Sequence, residues 1–203
     1  GSLNQRDHMK LLALQAEKGL GDSIIQNIIT EEDQAFEHDQ HLYRQAYAEA
    51  LRQNGSLNQR DRAKLLALQA EKGLGDSIIQ TITAEEDQAF EHDQHLYRQA
   101  CADYFRQTAA SIDEVNQYLQ PQAKGFQFGR AVVNAILEQE QEYFEGDCQR
   151  YAQRAADQLN SLGTFNEEDL SSLQQDLRLG ETVCQDLKDK AKIAFNKELK
   201  AAS

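Results

Sequence analysis

The chain has a single proline and no tryptophan among its 203 residues. A sheet-rich fold is disfavoured, because such folds rely on many tight turns that proline and glycine help to form. Glutamine, alanine, glutamate and leucine, which are good helix formers, are abundant instead. Apolar residues recur at helical spacing along the chain. These features predict an all-α fold.

Cysteine is also scarce, and the three that are present are odd in number and lie within helical patterns. Cys101 takes the place that Tyr47 fills in an earlier copy of the same segment. This interchange favours a packing position over a disulfide or a catalytic thiol. The sequence shows neither a signal-peptide pattern nor an apolar run of membrane-spanning length. We therefore expect a reducing, cytoplasmic environment.

Positive charge is in short supply, since 21 lysines and arginines face 34 aspartates and glutamates and the formal net charge is -13. Nucleic acid and an anionic membrane would repel such a chain, so neither is an expected partner. Motifs of catalysis are absent from the sequence as well, among them a glycine-rich phosphate loop, a nucleophile elbow, H-E-x-x-H and CxxC. The sequence therefore predicts a protein that is not an enzyme and that needs no cofactor.

The most prominent feature that the chain does contain is a repeat. Residues 1–53 recur almost unchanged as residues 55–107, and both copies carry LLALQAEKGLGDSIIQ and EEDQAFEHDQHLYRQA. Two fainter copies follow. A fixed period indicates a row of similar units, and identity that extends to polar positions indicates a recent or engineered duplication. The predicted units are 1–54, a near-identical 55–108, a divergent 109–161 and a divergent, truncated 162–203.

Each unit is predicted to begin with a short helix. A capping box of the form S/T-x-x-E/Q, which satisfies free backbone amides at a helix start, opens all four units. Glycine is predicted to close the helix in a left-handed conformation, and Pro121 is expected to shorten or kink it in the third unit. The boxes begin at Ser2, Ser56, Ser111 and Thr164, and the closing glycines are Gly19, Gly73 and Gly125.

A long helix follows, predicted from Ser77 to Gln107 in the second unit, with Asp22 or Asp76 able to cap it. One of its faces is apolar at helical spacing. A hairpin of one short and one long helix cannot bury this face alone, so the units are predicted to stack as a bundle or a short solenoid. The apolar face comprises Ile78, Ile79, Ile82, Ala89, Phe90, Leu96, Tyr97, Ala100 and Tyr104.

Pairs of acids seven residues apart recur near the middle of this apolar face. A buried carboxylate must be ion-paired, protonated or bound to metal, because an isolated buried charge is very costly. Two alternatives follow: salt bridges or hydrogen bonds between helices, and a carboxylate metal site of the helical-bundle type. The candidate acids are Glu32, Asp39, Glu86, Asp93, Glu140 and Asp147.

Two pairs of histidines, each spanning one helical turn, are further candidate metal ligands. They are His38 with His41 and His92 with His95. A helical wheel puts His95 on the far side of the helix from Glu86 and Asp93, and the third unit has other residues at the histidine positions. An exposed histidine pair is therefore the alternative to a metal site.

Residues 65–79 and 90–99 carry the pattern L-x-x-L-Q-x-x-x-x-L-G, then [DE]-[ST]-[IV] and an acidic long helix that ends in Y-R-Q. This pattern resembles the helical repeat regions of large multidomain signalling proteins of cyanobacteria. It is also similar to repeats in the chloroplast inner-envelope import scaffold. The resemblance implies a non-catalytic, all-helical module that positions or regulates neighbouring domains.

These observations favour a scaffold for protein–protein interaction made of stacked helical hairpins. It would bind a helix or a neighbouring domain along the repeated long helices, with Tyr43, Tyr97 and Tyr151 as candidate partner-binding residues. The alternative function is a metal-binding helical bundle that uses the repeated acids and histidines. Self-association through the repeated surface is a third hypothesis.

Overall fold

The computed structural model describes residues 21–202 and, ahead of them, only Ala13, so the predicted Ser2 and Gly19 lie outside the described part. Within that part all regular structure is helical and no strand occurs, which confirms the all-α prediction. None of its helices combines the length and the apolar content that a membrane crossing requires. The helices are α1 (Asp22–Asn54), α2 (Gln59–Lys72), α3 (Asp76–Thr108), α4 (Ile112–Gly125), α5 (Arg130–Leu162), α6 (Glu167–Leu177) and α7 (Glu181–Ala202).

Long and short helices alternate along these residues. The long helices α1, α3 and α5 have 33 residues each and begin at positions 22, 76 and 130, a constant step of 54 residues. The short helices α2, α4 and α6 have 14, 14 and 11 residues. Helix α3 begins one residue before and ends one residue after the predicted span from Ser77 to Gln107.

The first two short helices begin at polar caps, one of which differs from the prediction. Ser111 caps α4 in a box with Glu114, as the sequence predicts. In α2 the cap is Asn58, which accepts a hydrogen bond from the backbone N–H of Asp61 at 2.9 Å. The predicted cap Ser56 lies two residues too early, because asparagine caps as well as serine and stands directly before the first helical residue.

The same displacement occurs in α6, where Asn166 rather than the predicted Thr164 is the cap. The long helices begin differently. Gly21 precedes α1 without any side-chain cap, so the capping role predicted for Asp22 is wrong. Asp22 and Asp76 are instead the first helical residues of α1 and α3, where a negative charge favours the positive end of the helix dipole.

Each short helix ends in the same left-handed turn. Gly73 has a φ of 61° and the next amide, of Leu74, donates to the carbonyl of Gln69 at 3.1 Å. In α4 the residue with positive φ is Gln127 (59°), whereas the predicted Gly125 is the last residue of the helix itself. The equivalent hydrogen bonds join Phe128 to Ala123 and Leu179 to Gln174. This bond pattern closes a helix by satisfying its last carbonyls.

Pro121 lies inside α4, yet α4 has the same 14 residues as α2, so the predicted shortening is wrong. Proline at this place removes the one backbone hydrogen bond that its N–H would donate. Val115, Leu119 and Ala123, which lie on both sides of it, are buried. Their packing keeps the helix continuous through the proline.

The turns that follow the long helices also need a left-handed residue, and one of them is not glycine. Gly55 (φ 76°) and Gly163 (φ 69°) hold this position after α1 and α5, but Ala109 (φ 53°) holds it after α3. A left-handed conformation costs an L-residue about 1–2 kcal/mol, and glycine loses about 0.5–1 kcal/mol more backbone entropy on folding.

We therefore expect Ala109→Gly to raise the free energy of unfolding by about 0.5–1 kcal/mol, in net balance of these two effects. Urea denaturation followed by circular dichroism measures it. Ala110→Gly is the control, because Ala110 has no positive φ and glycine there adds only the entropy cost. Equal loss of stability in both variants would contradict the strain at Ala109.

The chain falls into two compact units, residues 1–92 and 93–203. In the first unit α2 packs antiparallel to α1. Lys72 Nζ lies 3.2 Å from a carboxylate oxygen of Asp39 near one end of the pair, and Asn54 donates to Asp61 at 3.1 Å near the other. The described interior of this unit comprises Ile25, Tyr43, Tyr47, Leu51, Leu65, Leu74, Ile82 and Phe90.

The second unit is built around α5, which packs against α4, α6 and α7. Residues 93–108 of α3 run parallel to the first half of α5, because Arg98 contacts Glu140 and, further along both helices, Arg106 contacts Asp147. The rings of Phe105 and Phe144 stack between these two ion pairs, with centroids 6.0 Å apart. Other fully buried side chains of the unit are Tyr97, Cys101, Val115, Ile136, Leu137, Tyr151, Leu170 and Cys184.

Candidate functional site

Two of the predicted acids form the same ion pair one period apart. Glu86 accepts a hydrogen bond from Arg44 Nη1 at 2.9 Å, and Glu140 lies 3.5 Å from Nη1 of Arg98. Glu140 is only 8% exposed, so the guanidinium supplies the positive charge that a buried carboxylate needs. In both units an arginine late in one long helix thus contacts an acid early in the next long helix.

Two further acids of the predicted set are also paired with bases. Asp39 lies 3.2 Å from Lys72. Asp147 accepts from Arg106 at 3.0 Å and from Arg150 at 2.8 Å. Four of the six candidate acids therefore form salt bridges, and neighbouring basic side chains balance their negative charge.

The structure does not bring the predicted metal ligands together. Glu32 is exposed on α1, and Asp93 is half-buried on α3. The side chain of His95 contacts Gln99 at 3.0 Å. Residues 21–202 contain no group of three or more His, Cys, Asp or Glu side chains placed to hold a metal ion. The four candidate histidines, His38, His41, His92 and His95, are exposed.

The three tyrosines predicted to bind a partner lie in the protein interior. Tyr43, Tyr97 and Tyr151 are 5%, 0% and 1% exposed, and burial raises the pKa of each phenol. The ring of Tyr97 packs edge-on against Phe128, with centroids 5.8 Å apart. The three rings lie at equivalent places of the apolar face. Because neighbouring helices cover them, they are not accessible to a partner.

The cysteines occupy packing positions as well. Cys101 and Cys184 are 0% and 2% exposed, and none of the three is in a disulfide. Burial raises the pKa of the Cys101 thiol to about 12 and that of Cys148 to about 11. Both thiols therefore stay protonated at neutral pH, a state that is a poor nucleophile.

An open groove, which the sequence motifs do not predict, lies in the first unit between the second half of α1 and α2. It has a volume of about 440 Å³. Ala46 and Ala50 of α1 and Leu65 and Leu68 of α2 form its floor. Leu65 is buried, and the other three are half-buried. This groove is the candidate functional site: a small apolar surface framed by two helices, the kind of place where a side chain of another molecule can be buried.

Charged side chains surround the groove. Glu49, Asp61 and Glu71 line it together with a single lysine, Lys64. Glu71 lies 3.5 Å from Lys72, and no ion pair involves Glu49 among the residues that the structure describes. The rim is therefore acidic, as is the whole chain.

One signal in the sequence points to the groove. The near-identical copies differ at few positions, and one of them replaces Ala50 by Tyr104, the smallest apolar side chain by one of the largest. This exchange changes how far the long helix reaches toward the short helix that follows it.

Comparison with known proteins adds no relative to these observations. The chain matches no family model, no curated protein and no solved structure.

Proposed function

We propose that the chain is a non-catalytic scaffold of stacked helical hairpins that binds a protein partner or positions neighbouring domains. Each hairpin consists of a short helix followed by a long one. The units are the segments 1–54, 55–108, 109–161 and 162–203. As the likeness to helical repeats of cyanobacterial signalling proteins and of the chloroplast import scaffold implies, such a module works through its surface.

The observation that carries this proposal is the recurrence of one contact at one period. The long helices begin at a constant step of 54 residues, and the ion pair of Arg44 with Glu86 returns as that of Arg98 with Glu140. Stacked repeats are held together by interfaces between neighbours, so the same residues meet at each interface. A single irregular helical domain has no reason to reuse a contact in this way.

The arrangement of α5 in the second unit supports stacking. Its first half contacts α3 through Phe105 and Phe144. Its second half contacts α6, where Arg154 binds Asp169 through two hydrogen bonds of 2.7 and 2.8 Å. A long helix that serves two successive hairpins joins them firmly, which suits a module that holds other proteins at fixed positions.

Deletion of one full period tests the architecture. Removing residues 55–108 joins α1 to α4, and Arg44 then stands where Arg98 stands opposite Glu140. We expect this variant to unfold cooperatively in urea with the helical content per residue of the full chain, because stacked repeats interact only with their neighbours. Circular dichroism at 222 nm measures both properties.

The control removes half a period, residues 55–81, and places the remaining helices out of register. We expect it to lose cooperative unfolding. If both deletions unfold alike, the proposed stacking of equivalent hairpins is wrong. The interaction function has its own measurement: a partner identified by cross-linking and then purified should bind the full chain at least tenfold more tightly than the folded one-period deletion. Unchanged affinity for such a partner would count against a scaffold that uses its repeated surface.

A further inference from the structure

The groove between α1 and α2 corresponds to a position that large side chains fill elsewhere in the molecule. Ala50, Tyr104 and Gln158 stand at the same place in the three long helices, 54 residues apart. Tyr104 stacks on Tyr118 of α4, with ring centroids 4.4 Å apart. In both of these pairs, each a long helix with the short helix that follows it, a side chain of the long helix crosses to the short helix. Gln158 does so by donating to Asp169 at 2.6 Å and accepting from the backbone of Asn166 at 2.7 Å.

The pair of α1 with α2 lacks such a side chain. Alanine ends at Cβ, so Ala50 cannot reach α2. Lys64 occupies the place that Tyr118 holds in α4, and an exposed lysine carries its charge away into solvent. In the pair of α3 with α4, the two stacked tyrosines occupy part of the corresponding space and line an open pocket of about 630 Å³.

The pair of α1 with α2 and the pair of α3 with α4 share one register. Leu65 of α2 and Leu119 of α4, next to Lys64 and Tyr118, are both buried, at 5% and 6% exposure. The turns that close α2 and α4 use equivalent hydrogen bonds, to Gln69 and to Ala123. Gln69 follows Leu65 at the same distance along the chain as Ala123 follows Leu119.

Shape and charge together specify an occupant. The floor of Ala46, Ala50 and Leu68 is apolar, and the corresponding place between α3 and α4 holds two stacked tyrosine rings. The rim has three carboxylates, of Glu49, Asp61 and Glu71, against the ammonium of Lys64 and that of Lys72, which lies 3.5 Å from Glu71. Charges of opposite sign around an apolar anchor favour encounter and fix orientation.

We propose that this groove binds a protein segment that inserts one tyrosine or phenylalanine ring flanked by lysine or arginine. The ring takes the place that the Tyr104 side chain has between α3 and α4, and it contacts Leu65 and Leu68. The flanking bases meet Glu49 and Glu71. This inference deepens the proposed interaction function and rests on it, since it names the partner chemistry of one surface of the scaffold.

Two probes test the groove on the full chain by methyl NMR. The first is 4-methylphenol, the side chain of tyrosine. The second is an acetylated, amidated peptide of one tyrosine between two lysines on each side, compared with its alanine analogue. We expect saturable shifts of the Ala50, Leu65 and Leu68 methyls with both aromatic probes. The tyrosine peptide should bind at least tenfold more tightly than the alanine peptide, and more weakly as salt rises.

Two sets of variants test the floor and the rim of the groove separately. Ala50→Tyr with Lys64→Tyr should fill the groove and weaken binding of the tyrosine peptide at least tenfold. Glu49→Gln with Glu71→Gln leaves the apolar floor intact and should weaken binding of the peptide but not of 4-methylphenol. If the filled variant fails to fold by circular dichroism, the glutamine variant alone decides.

Three outcomes overturn the proposal: no saturable shift with either aromatic probe, unchanged peptide binding by the filled variant, or unchanged peptide binding by the glutamine variant. Light scattering supplies a fourth, because a dimer that Ala50→Tyr abolishes would assign the groove to a second copy of the chain. Failure here together with success of the one-period deletion would leave the stacked architecture standing and remove only this partner. If the one-period deletion fails and the NMR titrations succeed, the groove keeps its proposed partner and the stacked architecture is wrong.

Discussion

Replacing Phe105 with alanine is expected to lower the free energy of unfolding by about 3–5 kcal/mol, the usual cost of removing a buried phenylalanine ring. Phe105 is fully buried, and its ring stacks on Phe144 between α3 and α5. The substitution removes the apolar contact and leaves a cavity that the surrounding helices fill only in part. Urea denaturation of the purified variant measures the change in the midpoint and in the slope.

The repeat itself provides a matched control for this substitution. Leu51 holds the equivalent position in α1 and is buried there too, so Phe105→Leu should cost much less than Phe105→Ala. Tyr143→Ala is the surface control, because this side chain is 53% exposed; such changes usually fall within about 0.5 kcal/mol. Equal effects of Phe105→Ala and Tyr143→Ala would show that the interface of α3 with α5 does not stabilise the protein.

Local features of the sequence were sufficient to predict the helices. The span of α3 was predicted to within one residue at each end, because helical periodicity and strong helix formers act over a few turns. The exact caps were harder. The sequence favours Ser56 over Asn58, since several polar residues precede α2 and only the backbone geometry selects the one that caps.

Burial depended on contacts that no local pattern contains. Ala89 and Leu96 belong to the predicted apolar face of α3, yet both are exposed. Cys101 and Phe105 were not assigned to it and are fully buried. The buried face of a helix is decided by the helices that cover it, and their offset along the chain is a property of the three-dimensional packing.

The candidate site shows the same limit. The sequence singled out Glu86 and Glu140 as acids on an apolar face, and their need for a balancing charge was predicted from physics. It did not identify Arg44 and Arg98 as the balancing groups, because each lies on the preceding long helix, more than 40 residues away in the chain. The groove is not predicted for a related reason. An alanine at position 50 has no distinctive feature until the structure shows that Tyr104, at the equivalent position, stacks on the following short helix.

Gly180→Ala is expected to lower the free energy of unfolding by about 1–3 kcal/mol, the typical effect of forcing extra atoms into a packed interior. A Cβ at this position would lie 2.9 Å from the carbonyl oxygen of Gln107 and 3.0 Å from its Cα. The neighbouring amide makes relief difficult, because the N–H of Gly180 donates to the carbonyl of Arg106 at 2.7 Å. The start of α7 is thus held against the end of α3 by backbone groups that cannot rotate away.

Gly75→Ala isolates the clash, because Gly75 precedes α3 as Gly180 precedes α7 and a Cβ there would meet nothing within 4 Å. Alanine is a poorer residue than glycine at a helix start, and this cost is common to both variants. The difference between their unfolding free energies therefore reports the contact with Gln107. Near-equal values would mean that the backbones of α3 and α7 separate easily, and the close junction of these two helices would then not be a source of stability.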